Sequence, residues 1–172
     1  LPPIRLSHPK WNSMPGLDLD FLAPFRCLSV RNVLDIFALL LLEQQVLFVS
    51  SVSSLITEVM ETMRSLLFPL SWQGAYVPRL PDRMAGFLDA PGGYMIGMHF
   101  EAPTTHEELR SQLGMEDAVV IVSLDGGGSL GYGYIPGIRD DQKPPHKRLP
   151  SKPLKDLERR LLIICKGTGV SP

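Results

Sequence analysis

The sequence predicts an α/β domain with a mainly parallel sheet flanked by helices on both faces. Three observations carry this. Val46-Leu47-Phe48-Val49 and residues 118–124 are short, almost wholly apolar runs, the signature of strands buried on both faces. An amphipathic stretch with helical spacing follows the first run. Proline and glycine breaks separate the segments. Strands alternating with helices imply crossover connections and hence parallel pairing.

The elements follow in chain order. The segment up to about Pro24 holds five prolines and no steady period, so it reads as an extended connector. Ser29 is placed to cap a helix over 30–45, in which Val33, Leu34, Ile36, Phe37 and Leu39 to Leu42 are apolar nearly all round and predict burial. The strand at 46–49 leads to a helix starting at Ser53 or Ser54, with Glu58 in its first turn. Its apolar face is Leu55, Ile56, Val59, Met60, Met63, Leu66 and Leu67, and Pro69 stops it because proline cannot donate the next backbone bond. Residues 74–77 predict a short strand closed by Pro78, and Asp82 is placed to cap a short helix that Pro91 stops.

Residues 94–98 predict a further strand. Thr105 and Glu108 form a capping box, the Thr oxygen and the Glu carboxylate each satisfying a backbone donor, for a helix that Gly114 ends. The strand at 118–124 comes next. A last helix begins at Ser151, with a stripe of Leu154, Leu157, Leu161 and Ile164, and ends at Gly167.

Composition narrows the function. The 172 residues suffice for one domain, and a net charge of −1 gives no overall drive toward nucleic acid. Charge is nevertheless uneven. Residues 1–138 hold 8 basic and 14 acidic side chains, whereas residues 139–172 hold 9 basic and 4 acidic. The polar, proline-rich run 140–148 at that break reads as a solvated linker, and a weak contact with anionic membrane is expected through 139–160. Cys27 and Cys165 fit no metal or redox spacing and read as two reduced thiols. His8, His99, His106 and His146 are scattered without metal-ligand spacing.

Two motifs mimic catalysis. Gly126, Gly128 and Gly131 satisfy G-x-G-x-x-G, and residues 127–131 satisfy G-x-S-x-G around Ser129. Both chemistries need a helix immediately afterwards, to hold a phosphate or to brace a strained serine turn, but Tyr132-Gly133-Tyr134-Ile135-Pro136-Gly137 follows. A serine hydrolase would also have to recruit Asp140, Asp141 and His146 from one proline-rich loop. It stands as a remote alternative.

The order of features over 29–134 closely resembles the central core of the DENN domain. These features are the leucine-rich helix with Glu43, the strand ending at Ser50, Leu67-Phe68-Pro69, Trp72-Gln73, the exit marked by Pro78 and Pro81, and Pro91 ahead of the strand with Gly97. An acidic turn after a valine-rich strand also fits, as Ser123-Leu124-Asp125 where the family usually has Asp-Leu-Asp. Gly92-Gly93, where the family often has proline and a bulky residue, reads as a looser turn.

The resemblance implies a piece of a larger, multi-part protein. Residues 1–28 would be the connector and start of the module, 29–138 the central DENN α/β core, and 139–172 a basic linker and the start of a downstream helical segment. It implies guanine-nucleotide exchange on a Rab-family small GTPase in membrane traffic, with no covalent chemistry and no cofactor. The alternative is a DENN-type scaffold without exchange activity. The expected partners are the Rab and the upstream longin-like and downstream helical parts of the same protein. The expected location is the cytoplasm, peripheral on vesicle or endosomal membranes.

In an open α/β sheet, partners tend to meet the carboxyl ends of the strands. Under the resemblance Trp72, Gln73 and Tyr76 are the first candidate partner-binding residues, with Arg79 and Asp125 at those strand ends. Glu43, Ser50, Pro69, Pro78, Pro81, Pro91 and Gly97 are read as structural.

Overall fold

A computed structural model describes residues 20–101, 105–115, 118–125, 128–131 and 149–169. The linker at 140–148, with His146, and the connector up to residue 19, with His8, lie outside them.

Five strands, β1 (Gln45–Ser50), β2 (Ala75–Val77), β3 (Tyr94–His99), β4 (Val120–Ser123) and β5 (Ser129–Gly131), form one sheet in the order β2-β3-β1-β4-β5. The first four are parallel, as the alternation of elements predicts, and β5 pairs antiparallel to β4 at one edge. β1 is the centre, flanked on both sides, so its row of side chains feeds two cores. Val46 and Phe48 face one, while Leu47 and Val49 face the other.

The first core is covered by α1 (Ala23–Cys27), α2 (Val30–Leu41) and α3 (Ser53–Leu66), with Ile56, Val59, Met60 and Met63 of α3 buried against it. The second is covered by a kinked 3₁₀ segment (Asp82–Asp89) and α4 (His106–Leu113), which contribute Leu88 and Leu109. α5 (Ser151–Gly167) rests on α2, with Cys165 buried in the first core.

Local chemistry sets the helix ends. Ser29 Oγ accepts from Asn32 N at 3.2 Å, the predicted cap. The predicted capping box closes α4, and Gly114 ends it in the left-handed region at φ 62°. α2 stops at Leu41, four residues short of the predicted Gln45. Glu43 takes φ 52°, Glu43 N donates to Leu40 O at 3.0 Å, and Gln44 N donates to Leu39 O at 3.0 Å. This is a Schellman ending, with glutamate in the position glycine usually fills.

Other expectations need correction. α1, whose Phe25 and Cys27 are core residues, is not among the predicted elements; it lies at the end of the 1–28 segment read as connector and start of the module. The short spacing between Pro24 and Ser29 hid it. Leu41 and Leu42 are exposed at 36% and 41%, although α2 reads as buried all round. α3 has no acidic residue in its first turn and no cap from its own serines; Ser50 Oγ accepts from Val52 N at 3.0 Å instead. The Phe68-Pro69 peptide is cis. On α5 the inward residues are Leu154, Leu161, Leu162 and Cys165, while Leu157 and Ile164 of the predicted stripe are exposed.

Candidate functional site

A parallel sheet has two distinct edges, and the loops of this chain sort between them. Loops that end helices and start strands, 42–44, 67–74 and 90–93, lie at the amino ends of β1, β2 and β3. Loops leaving the strands, which contain Ser51, Pro78, Arg79, Phe100 and Asp125, lie at the carboxyl ends. The five candidate residues therefore do not form one site. Trp72 and Gln73 stand at the amino edge, Arg79 and Asp125 at the carboxyl edge, and Tyr76 between them in β2.

The carboxyl edge is closed by its own hydrogen bonds. Asp125 accepts from Ser50 Oγ at 2.6 Å and from Ser51 N at 2.7 Å, so both carboxylate oxygens tie β4 to the end of β1. The charge also faces the start of α3, where a carboxylate is favoured by the helix dipole. Nδ1 of His99 lies 3.2 Å from Ser50 O, and Phe100 N donates to the same oxygen at 3.2 Å. Ser50 is 2% exposed. Ser50 and Asp125 are thus spent on joining strands. Arg79 is exposed beyond β2, and Pro78 precedes it. Gly97 lies within β3, its carbonyl accepting from Leu80 N at 2.7 Å, and Pro81 leads into the 3₁₀ segment.

Tyr76 is turned inward. Arg64 of α3 stacks on its ring, 4.6 Å from the centroid, and also lies 3.1 Å from Glu61. Burial, and then the Glu61 carboxylate beside it, push the Tyr76 phenol well above its ordinary range. This cluster fastens the edge strand to α3.

The amino edge is open. Trp72 is half-buried, its Nε1 donating to Ala75 O at 3.2 Å, and it packs against the first core. Gln73 is exposed and donates to Ser71 O and Oγ. A cleft of ≈ 380 Å³ is lined by Glu43, Gln73, Pro91, Gly92, Gly93 and Tyr94 among others. The three loops meet tightly beneath it. A Cβ on Gly93 would collide with the Glu43 carbonyl, so the Gly92-Gly93 turn is a close seam and not the looser turn expected. Gln45 Nε2 donates to Ala90 O at 2.9 Å across the same seam. Glu43 is the charged residue lining the cleft, held at positive φ with its side chain exposed.

Exposed apolar side chains that sequence reasoning missed stand at the helix ends of the same edge. Leu41 and Leu42 end α2, and Phe68 and Leu70, 39% and 61% exposed, flank Pro69 after α3. A half-buried Trp72 completes the set. Apolar surface gathered at one edge marks an interaction site better than the same residues scattered singly. The only signal in the sequence was position, since both groups sit immediately before or after a helix stop.

The glycine-rich stretch has a packing explanation. Gly128 has φ 67°, and a Cβ there would collide with the Cys27 carbonyl of α1. Ser129 begins an antiparallel strand and does not sit at a strand-to-helix turn. Gly126, Asp140 and Asp141 lie outside the described residues. Cys27 is buried, and that burial pushes its thiol up to about 11, so it stays protonated and inert.

The model of the DENN (AEX-3) domain family matches residues 2–127. The chain is 35% identical over 122 residues to the DENN domain and WD repeat-containing protein SCD1 of Arabidopsis thaliana, covering 71% of this chain and 10% of that protein. It is 34% identical over 113 residues to the DENN domain-containing protein 3 of Mus musculus, covering 66% of this chain and 8% of that protein. The elicitor of plant defense protein 1 of Fusarium odoratissimum is 35% identical over 115 residues, covering 66% of this chain and 12% of that protein. The chain thus spans about a tenth of the length of these relatives.

Proposed function

The chain belongs to the DENN (AEX-3) domain family, and we propose that it is part of a guanine-nucleotide exchange factor for a Rab-family small GTPase. In this reading it grips the nucleotide-free GTPase during membrane traffic, from the cytoplasmic side. The observation that carries the reading is the amino edge, where Leu41, Leu42, Phe68 and Leu70 are exposed at helix ends and a cleft is lined by Glu43 and Gln73. Such a surface offers apolar area and a charge to another protein's loops, and it needs no covalent chemistry.

The mechanism follows from linkage. A partner that binds the empty GTPase more tightly than the loaded one weakens nucleotide binding by the same factor. Gripping the switch loops that close over phosphate and magnesium is one structural way to achieve that. Upstream longin-like and downstream helical parts of the parent protein would supply the rest of the surface. The carboxyl edge, with Asp125 already committed to Ser50 and Ser51, contributes rigidity in this reading.

The test is release of fluorescent GDP from a panel of Rab proteins. The parent protein is expected to accelerate release from at least one Rab, and this 172-residue chain alone to do so weakly. Leu70→Asp in the parent should cut the acceleration about tenfold or more, since a charge placed in an apolar contact leaves the partner's surface unpaired. Binding without faster release would establish the scaffold alternative. Unchanged release with Leu70→Asp would move the contact off the amino edge.

A further inference from the structure

α5 has two unlike sides. Leu154, Glu158, Leu161 and Cys165 recur at helical spacing and turn toward the body, with Cys165 1% exposed and Glu158 Oε1 3.3 Å from Arg31 Nε on α2. On the outer side Leu157, Ile163 and Ile164 are 40%, 65% and 51% exposed. Lys152, Lys155, Arg159, Arg160 and Lys166 are exposed on the same 17-residue helix. At 100° per residue, Arg160 lies between the Leu157–Ile164 pair and Ile163, while Lys152, Arg159 and Lys166 follow beyond Ile163. The two acids on the helix are engaged: Asp156 lies 2.8 Å from Arg159 and Glu158 pairs with Arg31.

We propose that this outer face of α5 is a contact for an anionic lipid bilayer. Charge complementarity selects that occupant. Residues 139–172 are net +5 in a chain whose other 138 residues are net −6, and α5 itself holds five basic side chains against two acidic ones. Cations interleaved with single large apolar side chains on a convex helix suit a bilayer interface. There the ammonium and guanidinium groups reach headgroups while Leu and Ile enter the acyl boundary. No helix among the described residues is long and apolar enough to cross a membrane, so α5 lies on the surface. Its anchor on α2 is at Arg31, in the first turn. Leu41 and Leu42 end the same helix about 15 Å away. A membrane-bound chain would thus leave the amino edge accessible, and the proposal stands whether or not that edge takes a GTPase.

The experiment is co-sedimentation of the 172-residue chain with vesicles of phosphatidylcholine alone or with about one-third phosphatidylserine. Binding is expected to the anionic vesicles only and to weaken about tenfold or more between 50 and 300 mM salt, as the ionic attraction is screened. Ile163→Asp and Lys152→Glu/Arg160→Glu should each lower it about tenfold or more, with the far-ultraviolet circular dichroism unchanged. Equal binding to neutral vesicles, no binding to either, or full binding by the Ile163→Asp chain would overturn the proposal. So would a dimer in size-exclusion chromatography that Ile163→Asp dissolves, which would assign the face to a second copy, or binding by this chain that the parent protein lacks, which would assign it to the downstream helical part. Nucleotide release measured in solution without vesicles is a separate readout, so the two readings fail independently.

Discussion

The two edges of the sheet solve opposite problems with the same kind of loop. At the carboxyl edge, polar side chains bond one another: Asp125 holds Ser50 and Ser51, and Ser50 holds the start of α3. At the amino edge, backbones close against one another at Glu43 and Gly93, and the side chains are left outward. The usual expectation for open parallel sheets favours the carboxyl edge, because helix amino ends there attract phosphates and small anions. A protein partner asks for apolar area instead. In this chain that area lies where helices stop and strands begin.

Breaking the seam beneath the amino edge should have the largest effect. Gly93→Ala drives a methyl into the Glu43 carbonyl, and the neighbour is backbone that cannot turn aside. Urea denaturation should show a loss of about 3 kcal/mol or an unfolded chain, with the amino edge lost first in hydrogen exchange. A loss under about 1 kcal/mol would show the seam to be loose.

Asp125→Ala should cost less, about 2 kcal/mol, by removing two charge-assisted bonds and leaving the Ser51 amide unpaired. The folded fraction of that variant should bind partner as before, whereas loss of binding with intact stability would return the site to the carboxyl edge.

Glu43→Gly should have the smallest effect and the opposite sign. Relief of the positive φ should raise stability by about 0.5–1 kcal/mol in thermal or urea unfolding. If the carboxylate in the cleft meets the partner, affinity should fall while stability rises. A variant that is more stable and equally good at binding would make Glu43 purely a helix ending.

Much of the fold was legible because its signals are local. The runs at 46–49 and 118–124 are strands because few other structures bury so short a continuous apolar segment. Ser29, Thr105 with Glu108, and Gly114 mark helix ends through bonds spanning three or four residues, and each is found as predicted. The antiparallel β5 was not legible, since three residues after a glycine run carry no periodicity. Nor was α1, too short to show a helical pattern. The site was read only in part. The strand-end rule places Arg79 and Asp125 correctly, but nothing in the sequence states that Trp72 and Gln73 stand at the opposite edge, with β2 between them. Phe68 and Leu70 lie beyond the apolar face read for that helix, so its pattern said nothing of their exposure.

What the sequence determined by itself is the set of elements, their order and the parallel pairing that the order imposes. Those depend on patterning within a dozen residues and on the short reach of the connections. Which apolar side chains stay in water was decided only by the tertiary structure. Exposure depends on what another part of the chain places on top, and nothing in the spacing of Leu41, Leu42, Phe68 and Leu70 states that the folded chain would leave them outside.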